Sequence, residues 1–304
     1  MNDLPVDHFV KAQQFVQTTH RDVYPAIDPT QASLSQKGRV VIITGASQGI
    51  GARAFVPSFA AAGAKAIVLV ARSADKLKDV AELVATSHPN VETLSVSTDI
   101  ADPASVAALF DKVKEKYGHA DVLVNNAGIF KAIAPIKDVD HVAWWEEMTL
   151  NIRGTFLMTQ SFLKQLPSPE TPARIVTLTT GAAYEVFPTF SAYGMSKLAV
   201  FELMTYVAVE NPNVVAVALH PGMVDTEMMK DMFKKFALDT PELVGGVGVW
   251  LAAWDGLDRA FLSGRFVTSN WDVEDLVKRK EEILAGNLLK MDLNATLGAA
   301  QFGL

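Results

Sequence analysis

Tyr193 and Lys197 stand four positions apart in Tyr193-Gly-Met-Ser-Lys197. On a helix, that spacing puts both side chains on one face. A nearby ammonium favours phenolate over phenol and lowers the tyrosine from its ordinary value of about 10. Tyr193 would then exchange a proton with a substrate oxygen at ordinary pH. The hydroxyl of Thr180, closing an upstream strand-like stretch, is suited to hold the same oxygen. Tyr and Lys at helical spacing are also common as plain surface neighbours, so the pair gains meaning only from its setting. Asn151 is ambiguous in the same way: Asn is mildly unfavourable inside a helix, yet a solvent-facing one is ordinary.

A second group of residues is built to bind rather than react. Arg39-Val-Val-Ile-Ile-Thr44 runs into Gly45-Ala-Ser-Gln-Gly-Ile-Gly51, and a helix-like stretch follows. Strand, glycine turn and helix open a nucleotide-binding βαβ unit. Gly45 permits the tight turn, Gly49 lets backbone approach a pyrophosphate, and Gly51 lets the helix pack closely on the strand. N–H groups of the first helical turn then face phosphate. The spacing departs from the G-x-G-x-x-G form, and a purely structural glycine loop is the competing reading.

The elements that position these groups alternate along the chain. Val- and Ile-rich strands are expected near 39–44, 66–70, 91–97, 121–125, 173–179, 214–219 and 265–268, with helices near 50–62, 73–86, 103–117, 140–165, 191–210 and 241–255 between them. Strands without period-two alternation belong to a sheet covered on both faces. The pattern predicts an α/β fold, a single-domain Rossmann-type doubly wound parallel sheet of about seven strands. Right-handed crossovers then bring the carboxyl ends of the strands to one rim, where ligands bind. Residues 1–37 read as a helical and irregular arm, with one apolar helical side over 6–19. Residues 38–270 read as the catalytic domain with a substrate lid at about 223–240, and 271–304 as a C-terminal extension.

Bulk composition removes several function classes. The 304 residues contain no cysteine, so disulfide, thiolate and Cys-ligated metal chemistry are absent, and no metal site is expected. A formal charge of -7 disfavours a nucleic-acid partner. Apolar runs are too short to span a membrane, and the N-terminus lacks the pattern of a secretory signal. A cytoplasmic location is the expectation.

Taken together, Thr44-Gly-Ala-Ser-Gln-Gly-Ile-Gly51, Asp99, Asn125-Asn-Ala-Gly128, Asn151, Tyr193-xxx-Lys197 and Pro221-Gly222 with Thr226 resemble the short-chain dehydrogenase/reductase family, over about residues 38–270. The arm around Tyr24–Pro29 and Ser269-Asn-Trp-Asp272 look like those of fungal members. The resemblance implies hydride transfer between a nicotinamide cofactor and a carbonyl or alcohol carbon. It makes Tyr193 the acid/base, Lys197 the residue that tunes it and holds the nicotinamide ribose, and Asn151 the holder of a proton-relay water. Thr180 stands where the family usually has Ser; the hydroxyl is kept, and the extra methyl narrows the site. Gly45, Ser47, Gln48, Gly49, Ile50 and Gly51 match the phosphate turn. Asp99 and Ile100 match the adenine contacts, and Asn125, Ala127 and Gly128 the loop beside the cofactor. Pro221, Gly222, Val224 and Thr226 match the segment at the nicotinamide carboxamide, with Asp225 turned to solvent.

After the second strand, Ala71 leaves out the carboxylate an NAD site would carry, and Arg72 with Ser73 suits a 2′-phosphate. NADP(H) is therefore preferred, with NAD(H) as the other option, although Gln48 stands where NADP-preferring relatives often carry a cation. Met228, Met229, Met232, Phe233 and Phe236, with Tyr184, Phe187, Phe190 and Trp144 or Trp145, are candidate walls for an apolar or aromatic ketone. Gly245, Gly246 and Gly248 point to close helix packing, with a subunit interface as one setting. The partners expected are a small-molecule carbonyl or alcohol and further copies of the chain, as homodimer or homotetramer. An isomerase or dehydratase using the same tyrosine, or a non-catalytic nucleotide-binding scaffold, are the rival readings.

Overall fold

In the computed structural model, which describes residues 4–254, 256–295 and 297–302, seven strands form one parallel sheet. The chain begins with α1 (His8–Ala12), then β1 (Val40–Thr44) and α2 (Val56–Ala61). β2 (Ala66–Ala71), α3 (Ala74–Ser87), β3 (Glu92–Ser97) and α4 (Pro103–Tyr117) follow, then β4 (Val122–Asn125), α5 (His141–Met148) and α6 (Thr155–Lys164). The second half runs β5 (Ala173–Leu178), α7 (Ser191–Glu210), β6 (Val214–His220), α8 (Pro241–Leu251), β7 (Phe266–Thr268), α9 (Val273–Lys278) and α10 (Lys280–Ala285). The strand order is β3-β2-β1-β4-β5-β6-β7. The order reverses between β1 and β4, the switch point at which such sheets open a ligand crevice. All residues of β1 and β6 are buried, whereas edge strand β3 is largely exposed. That contrast is the reason the inner strands read as unbroken apolar runs.

Two expected helices are interrupted. The helix after the glycine turn opens with a wide i→i+5 segment, Gly51–Phe55, before α2. Pro57 has no N–H for the carbonyl four residues back, which favours a widened turn ahead of it. The stretch expected as one helix over 140–165 is α5 and α6 joined by a second wide segment, Thr149–Gly154, which carries Asn151.

The N-terminal arm departs from its expected form. Among its described residues only His8–Ala12 is α-helical, with single 3₁₀ turns at Pro25–Ile27 and Ala32–Leu34, and the remainder is irregular and docked on the core. Val16, Ile27 and Leu34 are buried. Thr19 bridges to Trp271, His20 Nε2 lies 2.8 Å from Asp272, and Tyr24 Oη accepts from Val273 N at 2.8 Å. Gly245, Gly246 and Gly248 of α8 serve packing within the chain, not between subunits. A Cβ on them would collide with Ser58, Ile27 and Phe55 respectively. The parts of the arm and extension at 1–3 and 303–304 lie outside the described residues. Among the described residues, no helix is long and apolar enough to cross a membrane.

Candidate active site

The turns after β1 and β4 are stitched into one floor. Thr44 Oγ1 accepts from Asn126 N at 2.9 Å and Ala127 N at 3.0 Å, while Asn126 Nδ2 donates to Thr44 O at 2.8 Å. Gly45 takes φ 67 and Gly49 φ 57, a left-handed region that favours glycine. A Cβ on Gly45 would sit 2.7 Å from Asn126 Nδ2, so any side chain would break the join. The place of a Cβ on Gly49 is open, with its nearest neighbour, Glu227 Oε2, at 3.6 Å. Gly51 lies under the turn, close against Gly45 O, and admits the helix as expected.

Above this floor runs a cleft of about 360 Å³. It is lined by Gly45, Ser47, Gln48, Gly49 and Ile50 at one side, and by Arg72, Ser73, Asp99 and Ile100 at the far end. Ala127, Gly128, Tyr193, Lys197, Pro221 and Thr226 complete the other side. The positive φ of the glycines, the open face at Gly49 and the cationic far end fit a phosphate-bearing dinucleotide. Lys76 is a lining residue missed in the sequence. It lies in the first turn of α3, and its Nζ donates to Gln48 Oε1 at 2.8 Å. The cation lacking at Gln48 is thus delivered from another element; its distance from the glycine turn in sequence hid it. Glu227 brings a carboxylate to the same cleft.

Several assigned residues sit elsewhere. Asn125 does not reach the cleft: it is buried, and its Nδ2 donates to Thr159 Oγ1 at 3.0 Å and Thr177 Oγ1 at 3.1 Å. Side chains alternate along a strand, so Asn125 points into the sheet–helix layer and Asn126 takes the cleft. Gly222 and Val224 line a second, adjoining cavity and not the cleft. Gly222 holds φ 76, and a Cβ there would strike Asp239 Oδ2. Asp225 is exposed as expected, and its carbonyl accepts from Arg53 Nη1 at 2.7 Å.

That second cavity, about 150 Å³, meets the cleft at Tyr193. Thr180 opens into it, its Oγ1 accepting weakly from Ala182 N at 3.4 Å. The walls are Phe130, Phe187, Phe190 and Phe233 with Met223, Met228 and Met229. The lid is irregular, with a turn at Thr226–Met229, before a short 3₁₀ helix at Asp231–Phe236. Met232 is exposed, Phe236 is buried beneath the wall, Tyr184 packs on Phe266, and Trp144 Nε1 donates to Ser191 Oγ at 3.1 Å. Trp145 lies on an outer groove.

Around the tyrosine the groups converge. Lys197 Nζ donates to Leu178 O at 2.9 Å and lies 5.9 Å from the Tyr193 ring centre. Asn151 is buried; its Oδ1 accepts from Ile129 N at 2.9 Å and its Nδ2 lies 2.9 Å from Ser196 Oγ. A Cβ on Gly128 would be 3.3 Å from Asn151 Oδ1 and 3.4 Å from Lys197 Nζ, so this glycine leaves room where the two meet. Phe130 stacks on Tyr193 at 4.3 Å between ring centres.

The electrostatics differ from the simple Tyr–Lys expectation. Burial pushes Tyr193 well above its ordinary value, and the charge of Glu147 pushes it further up. Burial brings Lys197 down to about 8, with Glu147 opposing. Burial and the Glu147 charge both favour the phenol form of Tyr193. Glu147, also missed in the sequence, is fully buried on α5. Its Oε2 accepts from Lys131 N at 2.6 Å and Ala132 N at 2.9 Å, so it anchors the loop that carries Phe130.

The profile of the family described as short chain dehydrogenase matches residues 39–236. The short chain dehydrogenase mpl6 of Monascus purpureus is 39% identical over 287 residues, covering 92% of this chain and 96% of that protein. A dehydrogenase/reductase from Sinorhizobium meliloti 1021 superposes with a TM-score of 0.69 at 27% identity, over 79% of this chain and 96% of its own. A gluconate 5-dehydrogenase from Burkholderia cenocepacia J2315, solved with NADP and tartrate, shares the fold with a TM-score of 0.69 at 24% identity, over 80% of this chain and 96% of its own. With a glycine-turn cleft, a Tyr–Lys pair at its end and relatives along nearly its whole length, the chain belongs to the short-chain dehydrogenase family of NAD(P)(H)-dependent oxidoreductases.

Proposed function

We propose that the protein is an NADPH-dependent reductase of an apolar or aromatic ketone, running in reverse as an alcohol dehydrogenase. The observation that carries this reading is the position of Tyr193, shared by the dinucleotide cleft and the aromatic chamber. Arg72 and Lys76 at the far end of the cleft favour the 2′-phosphate of NADP(H). Bound NADPH supplies the hydride that adds to the carbonyl carbon. Tyr193 gives its proton to the carbonyl oxygen, and its raised pKa keeps it in the phenol form that reduction needs. Thr180 Oγ1 holds the same oxygen, narrowing its angles of approach. Lys197 would hold the nicotinamide ribose and would restore the lost proton to Tyr193 through the Asn151 side of the site. Phenylalanine and methionine walls accept a flat, greasy substrate and exclude water.

The test is a titration with NADPH and NADH followed by turnover of 2-tetralone, read as loss of reduced-nicotinamide absorbance. Tyr193→Phe is expected to bind NADPH as tightly as the parent and to lose hydride transfer by at least about a thousandfold. Full turnover in that variant would remove Tyr193 from the mechanism. Cofactor binding without reduction of any ketone would favour the scaffold reading.

A second copy of the chain is the proposed partner. Trp145, Phe156, Tyr206 and Val209 are exposed by 62%, 43%, 65% and 74% on α5, α6 and α7, an apolar face on the long helices.

A further inference from the structure

The chamber beside Tyr193 is closed in part by residues upstream of the span that the family profile matches. Phe9 and Gln13 of the N-terminal arm both line it, although the family profile begins at residue 39. Phe9 packs edge-on against Phe236 at 4.8 Å and Phe233 at 5.9 Å, and lies 6.3 Å from Phe187. Gln13 presses on Gly181, next to Thr180, so closely that a Cβ on Gly181 would collide with Gln13 Nε2. Its backbone is pinned, since Trp271 Nε1 donates to Gln13 O at 2.8 Å. Its carboxamide has no hydrogen-bond partner among the described residues.

The arm is also fastened to the lid. Arg21 Nη1 lies 3.0 Å from Asp239 Oδ1, Arg21 Nη2 donates to Val6 O at 3.0 Å, and Lys235 Nζ donates to Leu4 O at 2.9 Å. These contacts tie the arm to the lid over the chamber. Gln13 is only part-buried, so water meets its carboxamide until a ligand oxygen takes the place of that water.

We propose that the N-terminal arm is a working wall of the substrate site. In this assignment Phe9 supplies an aromatic face, and the Gln13 carboxamide hydrogen-bonds a second oxygen on a fused-ring aromatic ketone. The assignment rests on the ketone-reductase reading for its substrate class. It adds that discrimination among ketones is set by a segment upstream of the span that the family profile matches. The ligand is an oxygenated bicyclic or larger ketone, with one oxygen at Tyr193 and another toward Gln13.

The experiment measures calorimetric binding of 2-tetralone and 6-hydroxy-2-tetralone to the full-length protein loaded with NADP+. The parent is compared with Phe9→Ala, Phe9→Leu and Gln13→Ala, and the NADPH Kd of each variant reports on folding. Loss of the Phe9 ring is expected to weaken both ketones by about fivefold or more. Gln13→Ala is expected to weaken the hydroxylated ketone by about fivefold and the plain one by less than about twofold. The NADPH Kd is expected to stay within about twofold throughout. Phe9→Leu carries the test if Phe9→Ala does not fold. Unchanged ketone binding in the Phe9 variants overturns the proposal. So does equal weakening of both ketones by Gln13→Ala, a parallel loss of NADPH binding, or no ketone binding by the parent. Ketone binding with the expected pattern but without turnover overturns the reductase reading while leaving the arm as a ligand-binding wall.

Discussion

Arg72 and Lys76 reach the same end of the cleft from a strand end and a helix, and a 2′-phosphate there would sit between two cations. Replacing either by Ala is expected to raise the NADPH Kd about tenfold and the NADH Kd less than about threefold, as measured by nicotinamide fluorescence. Equal effects on both cofactors would move the phosphate elsewhere. Lys197 makes a different kind of prediction. Its folded value of about 8 lies below the ordinary 10.5, because burial penalises the ammonium. Between those values the folded state holds fewer protons than the unfolded chain, so stability rises as pH climbs through that window. Below about pH 8 the buried ammonium costs stability. Lys197→Met is therefore expected to stabilise the free protein at neutral pH by about 1–3 kcal/mol, an advantage that shrinks toward pH 10.5. The same variant is expected to lose turnover, a site residue kept at the expense of the fold. Thermal unfolding across pH checks the first statement and ketone reduction the second. In the parent, turnover that depends on the Lys197 ammonium falls as pH rises through about 8.

At the scale of elements, the arm and the lid form one layer over the chamber. Asp239 ties them: its Oδ2 accepts from Met223 N at 2.6 Å while Arg21 pairs with its other oxygen. Burial holds Asp239 above the usual carboxylate range even with Arg21 beside it. Arg21→Ala leaves that carboxylate buried without its counter-ion. We expect a loss of about 2 kcal/mol, below the usual figure for a fully buried pair because Arg21 is 26% exposed. A lower urea midpoint at unchanged slope, with faster proteolysis in the arm and lid, is the expected readout; an unchanged midpoint would show that the pair does not fasten the layer. The two wide helical segments belong to this scale too. At Thr149–Gly154, Thr155 Oγ1 donates to Asn151 O at 2.7 Å and Gly154 lies against Ile100, joining the Asn151 side of the site to the Asp99–Ile100 end of the cleft. Such turns arise from packing and backbone accommodation, which helical periodicity does not register.

At the scale of the whole molecule, the apolar face of α5, α6 and α7 frames a groove that also holds Glu202. Glu202 Oε1 is buried without a hydrogen-bond partner among the described residues, and burial raises its pKa. Light scattering at micromolar concentration is expected to give a dimer or tetramer, with Phe156→Glu shifting it toward monomer. A monomeric parent would leave that face without the proposed partner. Much of this molecule was legible before any coordinates. The strand succession, the sheet type, the glycine turn and the Tyr193–Lys197 pair all rest on interactions within a few residues, where apolar periodicity and i,i+4 spacing act. Tertiary structure decided what depends on distant partners. It turned Asn125 away and Asn126 in, carried Lys76 to Gln48, buried Glu147 beside the Tyr193–Lys197 pair, and laid Phe9 and Gln13 over the chamber. It also reversed the expected shift of Tyr193, because the cost of a buried charge is a property of everything packed around the phenol and not of the lysine four residues away.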